Sequence, residues 1–322
     1  MALVVVLAAA TVPLVTAPAA SAANGFYVGI GRLYDANGSE FVMRGVNVAH
    51  AWYADKTTQS LKDVKALGAN TVRVVLATGA RWTRTSTDAV ASIVAQCKAN
   101  KLVCVLEAHD TTGYGEQSGA VTLSKAVDYW LGVKNALVGQ EKYVIINIGN
   151  EPYGTNNYSS WANDTKSAIS RLRSNGFTHT LMVDAPNCGQ DWSFTMRNNA
   201  SSVFNGDSQR NTVFSIHMYG VFDTPSEITS YLNTFVSAKL PIVVGEFGDN
   251  HSDGNPDENA IMATAQSQRI GYLGWSWSGN GGDVSYLDMT SGFNRNSLTS
   301  WDNRIFNGSN GIRSTSRQAT VY

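Results

Sequence analysis

Charge is scarce in this chain of 322 residues: Asp, Glu, Lys and Arg together make up 15%, against roughly 25% in an ordinary soluble domain. The 24 basic and 25 acidic side chains leave a formal net charge of −1, and no block of Lys and Arg occurs. This excludes a nucleic acid or an anionic membrane surface as partner, because neutralising phosphates takes clustered cations. No GxGxxG follows the first strand candidate, which removes the dinucleotide-binding fingerprint of a doubly wound sheet. No Pro/Ser linker divides the chain after its leader, and no stretch there is apolar for long enough to span a bilayer. What is plentiful is aromatic: 8 Trp, 13 Tyr and 11 Phe, alongside 29 Gly. Low charge with many rings suits a neutral, hydroxyl-rich ligand, since sugars lay C–H faces on rings and hydrogen-bond to amides and carboxylates. Trp also fills cores, so composition points without deciding.

Residues 2–20 form an apolar run broken by Pro13 and Pro18 and followed by the small-residue pattern Ala20-Ser21-Ala22. A spanning helix needs about 20 unbroken apolar residues. The pattern reads instead as a secretory signal over 1–22, cleaved after Ala22, although the usual basic start is missing. The expectation is a secreted, extracellular protein. Export permits disulfides. Cys97 closes a predicted helix and Cys104 lies in the strand after it, so a Cys97–Cys104 bridge is expected, the alternative being two small buried apolar side chains. Cys188 is left over in a loop, with no nearby His to make it a thiol nucleophile.

Two short extended runs flank Asp35-Ala36-Asn37-Gly38, and Asn-Gly between β-type segments predicts a short N-terminal hairpin. Val/Ile-rich runs then recur at 42–48, 71–76, 102–108, 143–149, 180–184, 212–218, 241–247 and 271–277. Segments of helical period separate them, near 57–67, 86–100, 123–137, 158–174, 225–237 and 258–269, with a poorly defined one after 192. Continuous apolar strands such as Val144-Ile145-Ile146 are buried on both faces, as in a parallel sheet. Eight strand–helix units in one chain of this length predict an α/β fold, a single (β/α)8 TIM barrel, which typically takes about 250 residues. The barrel is assigned to 23–313, and 314–322 is read as a frayed tail or linker stub.

Polar residues gather at the C-terminal ends of these runs: Arg73, His109, Asn150-Glu151, His217 with Tyr219, Glu246, and Trp275. In a barrel these ends form one mouth, where active sites of the fold lie. Two glutamates at strand ends suit glycoside hydrolysis, which needs one protonated carboxyl to donate and one carboxylate to attack or to activate water. Arg73 would keep a neighbouring carboxylate ionised, Asn150 would bond a substrate hydroxyl, Tyr219 would hold the nucleophile, and His109 and His217 would fix hydroxyls. Each has a plainer reading: Glu before Pro starts helices, a lone strand-end His is often just a satisfied polar group, and Trp275 and Trp277, two apart on one strand face, are core by default. Their convergence is the argument.

That order, Arg73, His109, Asn150-Glu151-Pro152, His217-x-Tyr219, Glu246 and Trp275, resembles glycoside hydrolase family 5 over about residues 25–313. The strings Arg44-Gly45-Val46-Asn47, Glu107 to Gly113, Val183-Asp184-Ala185-Pro186-Asn187 and Gly274 to Asn280 are similar to those of its secreted bacterial endo-β-1,4-mannanases. The resemblance implies Glu151 as acid/base and Glu246 as nucleophile of a retaining double displacement. Arg73, His109, Asn150, His217 and Tyr219 are then supporting residues, and Trp275, or else Trp277, is the sugar platform. His50, Trp52 and Trp192 are cleft contacts on this reading. The implied substrate is β-mannan polysaccharide, cut by a monomer that needs no cofactor for the chemistry. Cys188 stands where close relatives are expected to carry an aromatic, and the carbohydrate-binding module often attached to such enzymes is not in this sequence. An endo-β-1,4-glucanase on the same scaffold is the alternative; intact Glu151 and Glu246 argue against a non-catalytic sugar-binding barrel. Asp253, Asn255 and Asp257 alternate beside Glu258, a pattern that suits a structural calcium held by Asp253, Asp257 and Glu258 or a solvated loop capping the next helix.

Overall fold

The computed structural model describes residues 24–322; the expected signal over 1–22 lies outside them. Strands β1 (Tyr27–Gly29) and β2 (Arg32–Tyr34) form an antiparallel hairpin whose two-residue turn, Ile30-Gly31, has positive φ at both positions. The expected Asn37-Gly38 turn also forms, one step later, and leads only to a single bridge between Tyr34 and Glu40.

Eight parallel strands then close into a barrel in chain order: β3 (Arg44–Val48), β4 (Thr71–Leu76), β5 (Val103–Ala108), β6 (Val144–Asn147), β7 (Leu181–Asp184), β8 (Thr212–Met218), β9 (Ile242–Phe247) and β10 (Gly271–Gly274). Between them run α1 (Thr57–Ala66), α2 (Thr87–Ala99), α3 (Leu123–Gly132), α4 (Trp161–Ser174), α5 (Thr195–Gly206), α6 (Pro225–Ser237) and α7 (Glu258–Gln268). The starts are written in sequence: Ser86, Thr122, Thr224 and Asp257 each accept a backbone N–H of the first turn of α2, α3, α6 and α7. After β10 the chain makes the short helices α8 (Ser300–Asp302) and α9 (Ile312–Thr315).

Two apolar layers result from period-two alternation. Outward residues such as Val72, Val74, Cys104, Leu106, Ile146 and Val244 pack under the helices. Inward residues Val103, Val105, Ile145, Met182, Val213, Val243 and Leu273 fill the lower barrel, closed from below by Phe26, Leu33, Phe41 and Met43. The C-terminal segment belongs to this floor and corrects the reading of 314–322 as a frayed tail. Asp35 Oδ2 accepts from both the N–H and the hydroxyl of Thr320 at 2.7 Å, the Tyr322 hydroxyl donates to the Leu102 carbonyl at 2.6 Å, and Ala319 is buried. The segment is ordered because it covers apolar residues at the base of the barrel.

The turn between α2 and β5 brings Cys97 and Cys104 together, both buried, but as free thiols with Sγ atoms 3.0 Å apart. The two sulfurs face each other across this turn, as the expected bridge requires, and the pair packs between α2 and β5 as two small apolar side chains.

Candidate active site

Above the apolar filling, the same alternation turns polar. Asn47, Arg73, Glu107, Asn147, Asp184, His217 and Glu246 come from seven consecutive strands, β3 to β9, and all are buried. Glu107, Asn147 and Asp184 stand two residues above the inward Val105, Ile145 and Met182. A register slip in β8 between Ile216 and His217 sets His217 opposite Glu246.

Arg73 is the hub. Its guanidinium donates to Asn147 Oδ1 (2.8 Å), Asn47 Oδ1 (2.9 Å), Glu246 Oε1 (2.7 Å), Asn150 Oδ1 (2.7 Å) and Asp184 Oδ2 (3.0 Å). Burial alone would weaken its hold on a proton, but Asp184, Glu107 and Glu246 outweigh that and raise its pKa. Glu246 also accepts from the Tyr219 hydroxyl at 3.0 Å. Burial, with Glu151 nearby, holds its carboxyl above the ordinary range, although His217 and Arg73 pull against that shift.

Glu151 sits half-buried just past β6 with φ at 38°. A side chain held in this left-handed region costs about 1–3 kcal/mol, a strain found at sites whose surroundings fix the geometry. Here Gly113 donates to the Glu151 carbonyl at 3.1 Å, and the Glu151 N–H lies 3.4 Å from Asp184 Oδ2. Glu151 Oε1 is 2.8 Å from His217 Nδ1, which is itself 3.5 Å from Glu246 Oε2. Ligand atoms of Glu151, His217 and Glu246 all lie within 4.8 Å of one another. Burial opposes a charge on His217, but Glu246, Asp184 and Glu151 override it and push its pKa up to about 10. The trio is the one such converging group among the described residues. Gly189 is required beside His217: its carbonyl accepts from the His217 N–H, and a Cβ there would lie 2.5 Å from Nδ1.

The aromatic wall forms on one side. His109, held by Glu107 at 2.8 Å, stacks on Trp275 with centroids 5.8 Å apart, meets Trp52 edge to face and lies tilted against Trp82. Trp275 is partly open and donates Nε1–H to Asn280 at 2.8 Å. Trp277 is fully buried, which corrects its reading as a platform: β10 ends at Gly274, so the two tryptophans share no strand face. His50, after β3, sets its Nδ1 against the Thr57 hydroxyl at 2.8 Å. Trp192 stands 38% exposed on the β7–α5 loop, outside this ring cluster. Asn150 spends its amide on Arg73 and on the Thr112 hydroxyl (2.8 Å). Sequence reasoning assigned no role to Asn47, Glu107, Asn147, Asp184 or Trp82. For the first four the signal was a polar residue inside an apolar strand; Trp82, in an aperiodic loop, gave none.

In the loop after β9 the geometry matches the capping reading that was set beside calcium. Asp253 accepts from Gln190 and the Gly220 N–H, Asp257 caps α7, and Glu258 pairs with Arg304 at 3.5 Å. Each carboxylate has its own partner, and the three do not converge.

A model of the cellulase family, glycosyl hydrolase family 5, matches residues 34–281. The chain belongs to this family. Within it, the chain is 65% identical over 305 residues to a mannan endo-1,4-β-mannosidase of Streptomyces lividans, a match covering 94% of this chain and 79% of that one. The structure is similar to the β-mannanase of Thermomonospora fusca, with TM-score 0.91 and 58% identity over 92% of this chain and 99% of that chain. It is likewise similar to the mannohexaose complex of that mannanase, with TM-score 0.90 and 57% identity over 92% and 99%. In this glycoside hydrolase two glutamates, Glu151 just past β6 and Glu246 on β9, come together at the barrel mouth.

Proposed function

We propose that the protein is a secreted, monomeric endo-β-1,4-mannanase that cuts internal bonds of mannan, glucomannan and galactomannan by a retaining double displacement. The observation that carries the mechanism is the carboxylate spacing: oxygens of Glu151 and Glu246 come within 4.8 Å. Retaining glycosidases hold the pair ~5–5.5 Å apart, whereas inverting ones leave ~6.5–9.5 Å for a water. Glu246 is the nucleophile. Arg73 and Tyr219 aim it and favour its ionised form, and it attacks the anomeric carbon to form a glycosyl ester. Glu151 gives its proton to the departing glycosidic oxygen, then takes one from the water that cleaves the ester. Trp275, beside His109, supplies an apolar face for the sugar, with Trp52, Trp82 and Trp192 as further ring surfaces. Mannan is favoured as substrate by the high identity to mannan-cleaving relatives and by the bound mannohexaose in a structural neighbour.

Reducing-sugar release from locust-bean gum, konjac glucomannan and carboxymethylcellulose tests the substrate, with the mannans expected to lead. Preference for the cellulose derivative would replace mannanase by endoglucanase. Proton NMR of early products should show the β-anomer first. Glu246→Ala should lower kcat by about 10³-fold or more, and full turnover in that variant would remove Glu246 from the mechanism.

A further inference from the structure

Asp184 closes β7 with its side chain wholly buried, so no substrate can touch it. Its Oδ1 accepts from Asn147 at 2.9 Å. Its Oδ2 accepts from Arg73 at 3.0 Å and lies 3.4 Å from both the Glu151 N–H nitrogen and His217 Nε2. One carboxylate thus adjoins the group that aims Glu246 and both supports of Glu151, its strained backbone and its imidazole neighbour.

The contacts of His217 dictate its protonation. Nδ1 faces the Glu151 carboxyl at 2.8 Å and Glu246 at 3.5 Å. Nε2 is buried with no hydrogen-bond partner and points toward Asp184. In a neutral ring one nitrogen would turn a bare lone pair on a carboxylate; with both protonated, each turns an N–H. The charged groups around it are Asp184 from β7, Glu246 from β9, Glu151 beyond β6 and Arg73 from β4. Three carboxyls against one guanidinium favour the cation.

We propose that Asp184 is a positioning residue, which from beneath the site keeps His217 doubly protonated and tethers the Glu151 backbone, and so fixes the aim of the Glu151 carboxyl. The inference rests on reading Glu151 as the acid/base. His217 occupies Oε1, which leaves Oε2 as the oxygen that carries the proton to the departing sugar. After transfer, the Nδ1–H of His217 steadies the carboxylate until it deprotonates water. Without the Asp184 charge, His217 loses a carboxylate that holds its proton, and Glu151 loses the acceptor for its N–H.

Nitrogen-15 NMR of histidine-labelled wild-type protein should show both His217 ring nitrogens protonated from pH 5 to 8. A neutral ring at pH 7 would overturn the proposal, whether or not the variant folds. Asp184→Asn should lower kcat about 10- to 100-fold, as for a reacting group displaced by a fraction of an ångström, with KM within twofold. It should also bring a new ionisation, that of His217, into the pH–rate profile between about pH 6 and 8. Unchanged kcat and profile would overturn it. Glu151→Ala, assayed on an aryl mannobioside with a good leaving group, separates the two readings: azide should restore turnover as a glycosyl azide. Rescue there with a normal Asp184→Asn sinks only the role of Asp184; failure of rescue sinks the acid/base reading and this one with it.

Discussion

Replacing Arg73 by Met tests the charge balance on which the site is built. Arg73 is unexposed and donates five hydrogen bonds, two of them to carboxylates. Met fills part of its volume and donates none, leaving Asp184 and Glu246 buried without their cation. Breaking one side of a buried ion pair costs about 3–5 kcal/mol. At roughly 2–4 °C per kcal/mol for a domain of this size, Tm at pH 7 should fall by about 6–20 °C. The pH dependence gives the sharper check. Burial would raise Asp184, but Arg73 and His217 override it and hold the carboxyl at about 2, below the ordinary 3.8. A depressed carboxyl stabilises the fold above pH ~4, and the contribution, about 2 kcal/mol, is lost as pH falls toward 2. In Arg73→Met burial acts with that opposition weakened, and both carboxyls titrate higher in the fold than in the unfolded chain. Acid then relieves the variant at both carboxyls, while in the wild type it removes what Asp184 contributes. Calorimetry from pH 8 to pH 4 should therefore show the gap in Tm narrowing. Equal Tm at pH 7, or a gap that widens on acidification, would refute the assignment of Arg73 as the charge that makes two buried carboxylates tolerable.

Removing residues 316–322 should lower Tm by several degrees, because Thr320, Ala319 and Tyr322 cover the barrel floor; an unchanged melting curve would restore the reading of a loose tail. Thiol titration in denaturant should find three reactive cysteines in reduced protein and one after mild oxidation. Closing the short Cys97–Cys104 loop should then add about 2 kcal/mol by the chain-entropy relation, and three thiols surviving oxidation would refute the facing geometry. Asp302 is buried with both carboxylate oxygens unpartnered, and burial, only partly offset by Arg313, lifts it to about 7. A raised carboxyl costs stability as pH climbs from about 4 through 7, so Asp302→Asn should gain about 1–3 kcal/mol at pH 8 and nothing at pH 4. An equal gain at both pH values would point to packing instead.

Most of the barrel was legible because its strands are buried on both faces and announce themselves as unbroken Val/Ile runs: 71–76 and 212–218 begin and end where the strands do. The site was legible where function put polar residues at strand ends. It was harder to read one layer down. Asp184 ends Leu-Met-Val-Asp and Glu107 sits in Val-Cys-Val-Leu-Glu-Ala, where alternation gives the facing but not the partners, which come from strands tens of residues away. Trp277 misled because period-two reasoning was carried past the end of β10. The loop after β9 was ambiguous because alternating acids look alike whether they share an ion or take separate partners, and only the fold distributes Gln190, Gly220 and Arg304 among them.

The floor of the barrel has a further bearing on how the molecule meets its surroundings. Asp35 and Thr320, near the two ends of the described chain, are hydrogen-bonded to each other beneath the strands, while Glu151 and Glu246 lie at the far end. Anything joined to either end, whether an anchoring domain, a bead or a surface, therefore departs from the pole opposite the mouth. A tether at that pole leaves the catalytic face turned outward, free to sweep along a chain many times longer than the enzyme is wide.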